Sequence, residues 1–181
     1  MTQKKSYFSL YDLSVLSICG GLVFVLKTAF KIPLHLPGHS GIFWVIPVIF
    51  AVAVVRKPGS GTYVGIISGV LNGFFGMDPL EVLDSFSYLI LGVTVDVEGF
   101  LFRYRFDHPA IGFIVGASSN IAKMLVNFAI QLSLGVLPVF IILGIGIASV
   151  SHLVFGGIGG VIAAVIIARL AKAGVIAAYE T

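Results

Sequence analysis

Lys123, Asn127 and Gln131 stand four residues apart in an otherwise apolar stretch, and Asp84 and Tyr88 repeat that spacing earlier in the chain. At 3.6 residues per turn, each set falls on one helix face. One face carries an ammonium and two amides, the other a carboxylate and a phenol. Groups of this kind hold a molecule by charge and hydrogen bonds; none is a nucleophile beside a base. Trp44, Asn72, Glu81 and His152 are the further candidates, since aromatic walls with a few convergent polar groups make up small-molecule pockets. Four of these residues also have a plainer reading: Trp44 as an interface anchor, Glu81 as a solvated end, His152 as a hydrogen-bonded core residue and Lys123 as half of a structural ion pair with Asp84 or Asp96.

Other chemistry finds little support. His35, His39, His108 and His152 are scattered, and no HExxH or CxxC spacing occurs, so no metal site and no cofactor are expected. Gly59-Ser60-Gly61-Thr62 has a glycine-rich turn but lacks the lysine and the preceding strand of a phosphate loop. Ser60 and His152 belong to different depths of any membrane-crossing arrangement, which removes the serine hydrolase reading. Cys19 has no partner for a disulfide. The chain is therefore not expected to be an enzyme, and with no basic cluster above two residues it offers no nucleic-acid surface.

The elements that must position these residues are membrane helices. Only 10% of the 181 residues are charged and 58% are hydrophobic, and the mean hydropathy is +1.09, which excludes a soluble domain of this size. Spans of about 20 residues leave room for five to seven of them. The apolar runs give six: Asp12–Phe30, Gly41–Val55, Ser60–Gly76, Leu83–Phe102, Ala110–Leu134 and Val139–Ala171. The last exceeds one bilayer crossing, so it either starts as an outer cap or kinks near Gly156–Gly160. No cleavable leader is expected ahead of the first span. The fold class is an all-α integral membrane protein, one six-helix transmembrane domain over residues 1–181.

Charge orients these helices. Lys4, Lys5, Arg56, Lys57, Arg103, Arg105, Arg169 and Lys172, eight of the eleven basic residues, fall at every second break. The positive-inside rule then puts both termini in the cytoplasm, with outer loops at Lys31–Ser40, Met77–Val82 and Gly135–Pro138. On this topology Glu81, Asp84, Tyr88, Asn72, Lys123, Asn127, Gln131, His152 and Trp44 all lie in the outer half. Asp96 and Glu98 fall near Arg103 and Arg105, as a cytoplasmic charge cluster that could seat a partner. Small residues four apart, Ser17 with Gly21, Gly65 with Gly69 and Gly73, and Gly156 with Gly160, mark close helix contacts.

The run Gly41-Ile-Phe-Trp-Val-Ile-Pro-Val-Ile-Phe-Ala-Val-Ala-Val-Val-Arg-Lys-Pro-Gly59, then a glycine-rich helix ending in Phe75-Gly76-Met77-Asp78-Pro79, resembles the S components of energy-coupling factor (ECF) transporters. Those of the hydroxymethylpyrimidine and thiamine-precursor type are the nearest in pattern, over about residues 41–100. The resemblance implies a substrate-binding subunit of a prokaryotic plasma membrane. Such a subunit captures a vitamin-like molecule outside and delivers it through a coupling transmembrane subunit and two ATPase subunits. It also implies that Ser17 and Gly21 dock on the coupling subunit. Thiamine-precursor relatives carry glutamates on the third helix where this chain has Gly65 and Asn72, so either Asp84 or Glu81 replaces them from the fourth helix or the ligand is a different vitamin-like molecule. Two other readings remain open: a self-sufficient small-solute channel or secondary carrier, and a scaffold in which the polar stripe only joins helices.

Overall fold

The computed structural model describes residues 7–30, 39–76 and 81–177, with the side chains of residues 81, 82, 140 and 143 left aside. Its six helices are α1 (Leu10–Ala29), α2 (Gly41–Val55), α3 (Ser60–Phe75), α4 (Glu81–Leu101), α5 (Pro109–Ser133) and α6 (Pro138–Lys172). The expected spans agree to within two residues at each end. Lys4, Lys5, His35, Asp78, Pro79 and most of the Lys31–Ser40 and Met77–Val82 loops fall outside the described residues.

Local sequence explains the boundaries. Ser9 and Asp12 close a reciprocal capping box at the start of α1. Pro109 and Pro138 occupy first-turn positions, where the missing N–H costs nothing. Between α2 and α3 the chain reverses in four residues through Arg56 (φ 52°) and Gly59 (φ 88°), a left-handed turn that Gly59 adopts without strain. Gly59 brings no capping side chain, so the cap comes from another helix. Asp96 of α4 accepts from the Gly61 and Thr62 amides at 2.8 and 2.7 Å and from the Thr62 hydroxyl at 2.6 Å. A carboxylate there also meets the positive end of the helix dipole.

Packing centres on α2, which touches all five other helices. It is apolar all round, as a fully enclosed helix must be. Its 15 residues span about 22 Å, short of a hydrocarbon core of about 30 Å, and its neighbours make up the difference. α1, α5 and α6 are each long and apolar enough to cross a membrane by themselves. α6 runs unbroken for 35 residues, about 52 Å, longer than one crossing.

The glycine rows draw two helix pairs together. A methyl on Gly92 would overlap the Gly61 carbonyl oxygen, and one on Gly65 would lie 2.6 Å from the Tyr88 carbonyl, so α3 and α4 meet backbone to backbone. Gly112 and Gly116 of α5 meet Gly160 and Gly156 of α6 in the same way. In lipid, such close approach supplies the dispersion contact that hydrophobic expulsion supplies in water.

Contacts at one end tie its basic turns together. Lys57 pairs with Asp12 at 2.5 Å, Tyr7 donates to the Pro58 carbonyl, and Arg56 donates to the Ala177 carbonyl. The N-terminal approach, the α2–α3 turn and the C-terminal segment therefore share this basic end. Asp96 and Glu98 lie near it, but the expected surface cluster is corrected here. Asp96 is spent on the α3 cap, and Glu98 is buried and accepts from the Ser118 hydroxyl of α5. A carboxylate in a span is held by neighbouring helices because lipid offers it no partner.

Candidate ligand-binding site

At the opposite half of the bundle a cavity of about 310 Å³ opens among five helices. Lys27 enters from the end of α1, Trp44 from the start of α2, and Asp84 and Tyr88 from the first half of α4. Lys123, Met124, Asn127, Phe128 and Gln131 come from the second half of α5, Ala148 and His152 from α6. The volume is at the small end of the range for organic ligand pockets.

Among the described residues, the Asp84 carboxylate stands between two ammoniums of the cavity. Lys123 Nζ lies 2.9 Å from Asp84 Oδ1 and Lys27 Nζ 3.6 Å from Asp84 Oδ2. The Lys123 side chain is only 8% exposed, and a mid-span ammonium is tolerated only with a counter-charge. Both ammoniums also face aromatic rings. Lys123 stands 4.2 Å from the centre of the Tyr88 ring and 5.0 Å from that of Trp44, and Lys27 stands 5.6 Å from Tyr88. These distances lie inside cation–π range. Trp44 and Tyr88 themselves meet edge to face at 6.2 Å.

Asn120 fixes the wall behind these rings. Trp44 Nε1 donates to Asn120 Oδ1 at 3.1 Å, and Asn120 Nδ2 donates to the His152 carbonyl at 2.9 Å. One fully buried amide thus joins α2, α5 and α6. On the rim, Gln131 Nε2 donates to Asn127 Oδ1 at 2.6 Å, and His152 Nδ1 lies 2.8 Å from the Ala148 carbonyl.

Seven of the nine expected binding residues line this cavity: Trp44, Asp84, Tyr88, Lys123, Asn127, Gln131 and His152. Asn72 does not. It is buried on α3 and donates to the Ser68 carbonyl one turn back. The side chain of Glu81 lies outside the described residues. Lys27 was not among the expected binding residues, yet it continues the inward row Leu16, Gly20, Val23 at three- and four-residue spacing. That row was the available signal. Met124 and Phe128 each follow a residue of the Lys123 stripe, and Ala148 lies one turn before His152.

The α1 surface that carries Ser17 and Gly21 faces away from the bundle. Ser17 is exposed, as are Ser14, Ile18 and Val25, and a methyl on Gly21 would meet nothing within 4 Å. Gly20, on the inner side, packs against Ile67 of α3.

Residues 10–122 match a family described as ABC-type cobalt transport system, permease component. The match ends one residue before Lys123, so the α5 and α6 wall of the cavity lies beyond it. The fold is similar to that of a crystal structure titled as an S-component of an ECF transporter, with a TM-score of 0.62 and 18% identity over 93% of this chain and 88% of that one. A comparison with curated proteins finds no match.

Proposed function

We propose that this chain, which belongs to the family of permease components of ABC-type cobalt transport systems, is the ligand-capturing subunit of an ECF-type importer. As a multi-pass membrane transport protein it takes up a solute and does not transform it. The observation that carries this reading is the five-helix cavity, with its paired charges and aromatic wall, at the end opposite the basic turns. By the positive-inside rule that end faces out. A ligand caught there would be handed to a coupling transmembrane subunit that docks on the small-residue face of α1 at Ser17 and Gly21, with two ATPase subunits supplying the energy.

The ligand this cavity favours is a small organic molecule of the vitamin or vitamin-precursor class, a hydroxymethylpyrimidine-like ring among them. A bare cobalt ion fits it poorly. Among the described residues no three His, Cys, Asp or Glu side chains come together, and two ammoniums stand where a divalent cation would need donors. A ring of pyrimidine size suits the volume and the Trp44 and Tyr88 wall, with amides at the rim for hydrogen bonds.

The test is binding and flux with the purified chain alone. Native mass spectrometry of gently solubilised protein is expected to show one small organic molecule per chain. Asn127→Ala and Trp44→Ala should each weaken binding about tenfold while the protein stays folded. Substrate flux across liposomes holding only this chain would favour the self-sufficient channel or carrier. Unchanged affinity in both variants would remove the cavity as the site.

A further inference from the structure

We propose that the turn between α4 and α5, with the end of α4 before it, binds an anionic phospholipid: Arg103 and Arg105 take the headgroup phosphate, and Val97, Phe100 and Leu101 take an acyl chain.

Three observations carry it. First, the turn keeps an arginine where the backbone favours glycine. The Gly99 carbonyl accepts from the Tyr104 amide at 2.7 Å and the Phe100 carbonyl from the Arg103 amide at 3.4 Å, the pair of bonds that ends a helix in a Schellman motif. Arg103 holds the left-handed position of that motif at φ 53°, and Tyr104 follows at φ 59°. Any side chain is strained in this region, and glycine is not. Arg56, also left-handed at φ 52°, uses its guanidinium inside the protein, on the Ala53 and Ala177 carbonyls. Arg103 does not: it is exposed, and among the described residues its side chain makes no hydrogen bond or ion pair. The negative end of the α4 dipole attracts a cation at any last-turn position, so it does not account for the strained one.

Second, the turn holds its two arginines in place. Phe102, Tyr104 and Phe106 alternate with them and face the core. Phe106 is fully buried, Phe102 and Tyr104 pack against the same cluster, and the Tyr104 ring covers Gly99, where a methyl would lie 2.9 Å from it. Three inward aromatics anchor the segment and leave both guanidiniums exposed. A guanidinium presented in this way suits a phosphate, which it meets through two parallel bonds.

Third, the surface leading to the arginines suits lipid chains better than another helix. Val97, Phe100 and Leu101 stand three and four residues apart on one face of α4 and are 63%, 77% and 69% exposed. Helices that pack in lipid present small residues, as α1 does at Ser17 and Gly21. The α4 face presents bulky, protruding side chains that flexible acyl chains can wrap. With the arginines at its end, it matches a molecule with an apolar tail and an anionic head. A zwitterionic head brings an ammonium along with its phosphate, so the anionic class is favoured.

Native mass spectrometry of the delipidated chain, titrated with phosphatidylglycerol and phosphatidylcholine of matched acyl chains, reads this directly. One phosphatidylglycerol is expected to bind about tenfold tighter than phosphatidylcholine. Arg103→Gly with Arg105→Gln should abolish that preference, whereas Arg169→Gln with Lys172→Gln, at the exposed end of α6, should keep it. Arg103→Gly alone should melt no lower than the native chain in the absence of lipid, since glycine relieves the turn, yet bind phosphatidylglycerol more weakly. Should the double variant fail to fold, Arg105→Gln, outside the helices, decides by itself. Equal binding of the two lipids by the native chain overturns the proposal, as does a lower melting temperature of Arg103→Gly with unchanged lipid binding. A preference lost equally with Arg169 and Lys172 overturns it too, because that is diffuse charge attraction and not a site. So does a preference that survives in the double variant while co-purification with a coupling subunit is lost, which would assign the turn to a protein partner.

Discussion

At the residue scale, the site depends on a few polar atoms placed where lipid and apolar side chains leave no alternative. Asn120 is the clearest case, since its amide satisfies the Trp44 indole and the His152 carbonyl at once. Asn120→Ala should therefore lower stability by about 2–3 kcal/mol through the orphaned indole N–H and loosen the aromatic wall. A thermal melt in detergent checks the first effect and ligand titration the second. The stripe Lys123, Asn127, Gln131 and the pair Asp84 and Tyr88 could be read from the sequence because four-residue spacing fixes a shared face. Lys27 could not be read from charge, since it stands apart from the eight basic residues that orient the helices; its place in the row Leu16, Gly20, Val23 gives it away. Asn72 misled for the opposite reason. Periodicity puts it at the right depth, but the rotation of α3 is set by its glycine contacts with α4, which no count along α3 alone contains.

At the scale of elements, two helix pairs, α3 with α4 and α5 with α6, meet backbone to backbone through their glycines, while α2 packs through its side chains. Gly92→Val would drive a side chain into the Gly61 carbonyl and should cost about 2 kcal/mol or more, seen as a lower melting temperature. Gly21→Val, with open space around it, should leave stability unchanged. Asp96→Ala removes the cap that α4 lends to α3 and should cost about 1–2 kcal/mol; Asp96→Asn, which keeps an acceptor, should cost less. Helix number and boundaries were legible because apolar runs and turn residues are local signals. The service of Asp96 as a cap was not, since it depends on which helix lies beside the start of α3. Its charge near Arg103 and Arg105 suggested a surface role instead.

At the scale of the molecule, the proposed capture and docking roles fall on two separate faces. The cavity opens at the end away from the basic turns, while Ser17 and Gly21 lie on an outward face of α1, the helix that also delivers Lys27 to the cavity. Ser17→Leu with Gly21→Leu should leave ligand binding by the isolated chain intact and abolish co-purification with a coupling subunit. Loss of both would mean that the face is structural. The six helices could be read from the apolar runs and their expected orientation from charge placement, and the fold is similar to that of an S-component structure. The ligand's identity was not legible, because it depends on distances between α1, α4 and α5 that periodicity does not give. The central claim is that this chain alone captures a small organic molecule in the cavity walled by Trp44, the single tryptophan of the chain, and its fluorescence is the most direct reporter. Adding ligand extracted from the native membrane complex should change that emission saturably at one molecule per chain, and Asn127→Ala should shift the midpoint about tenfold. An emission that stays constant while binding is detected by calorimetry would place the ligand elsewhere and contradict the account.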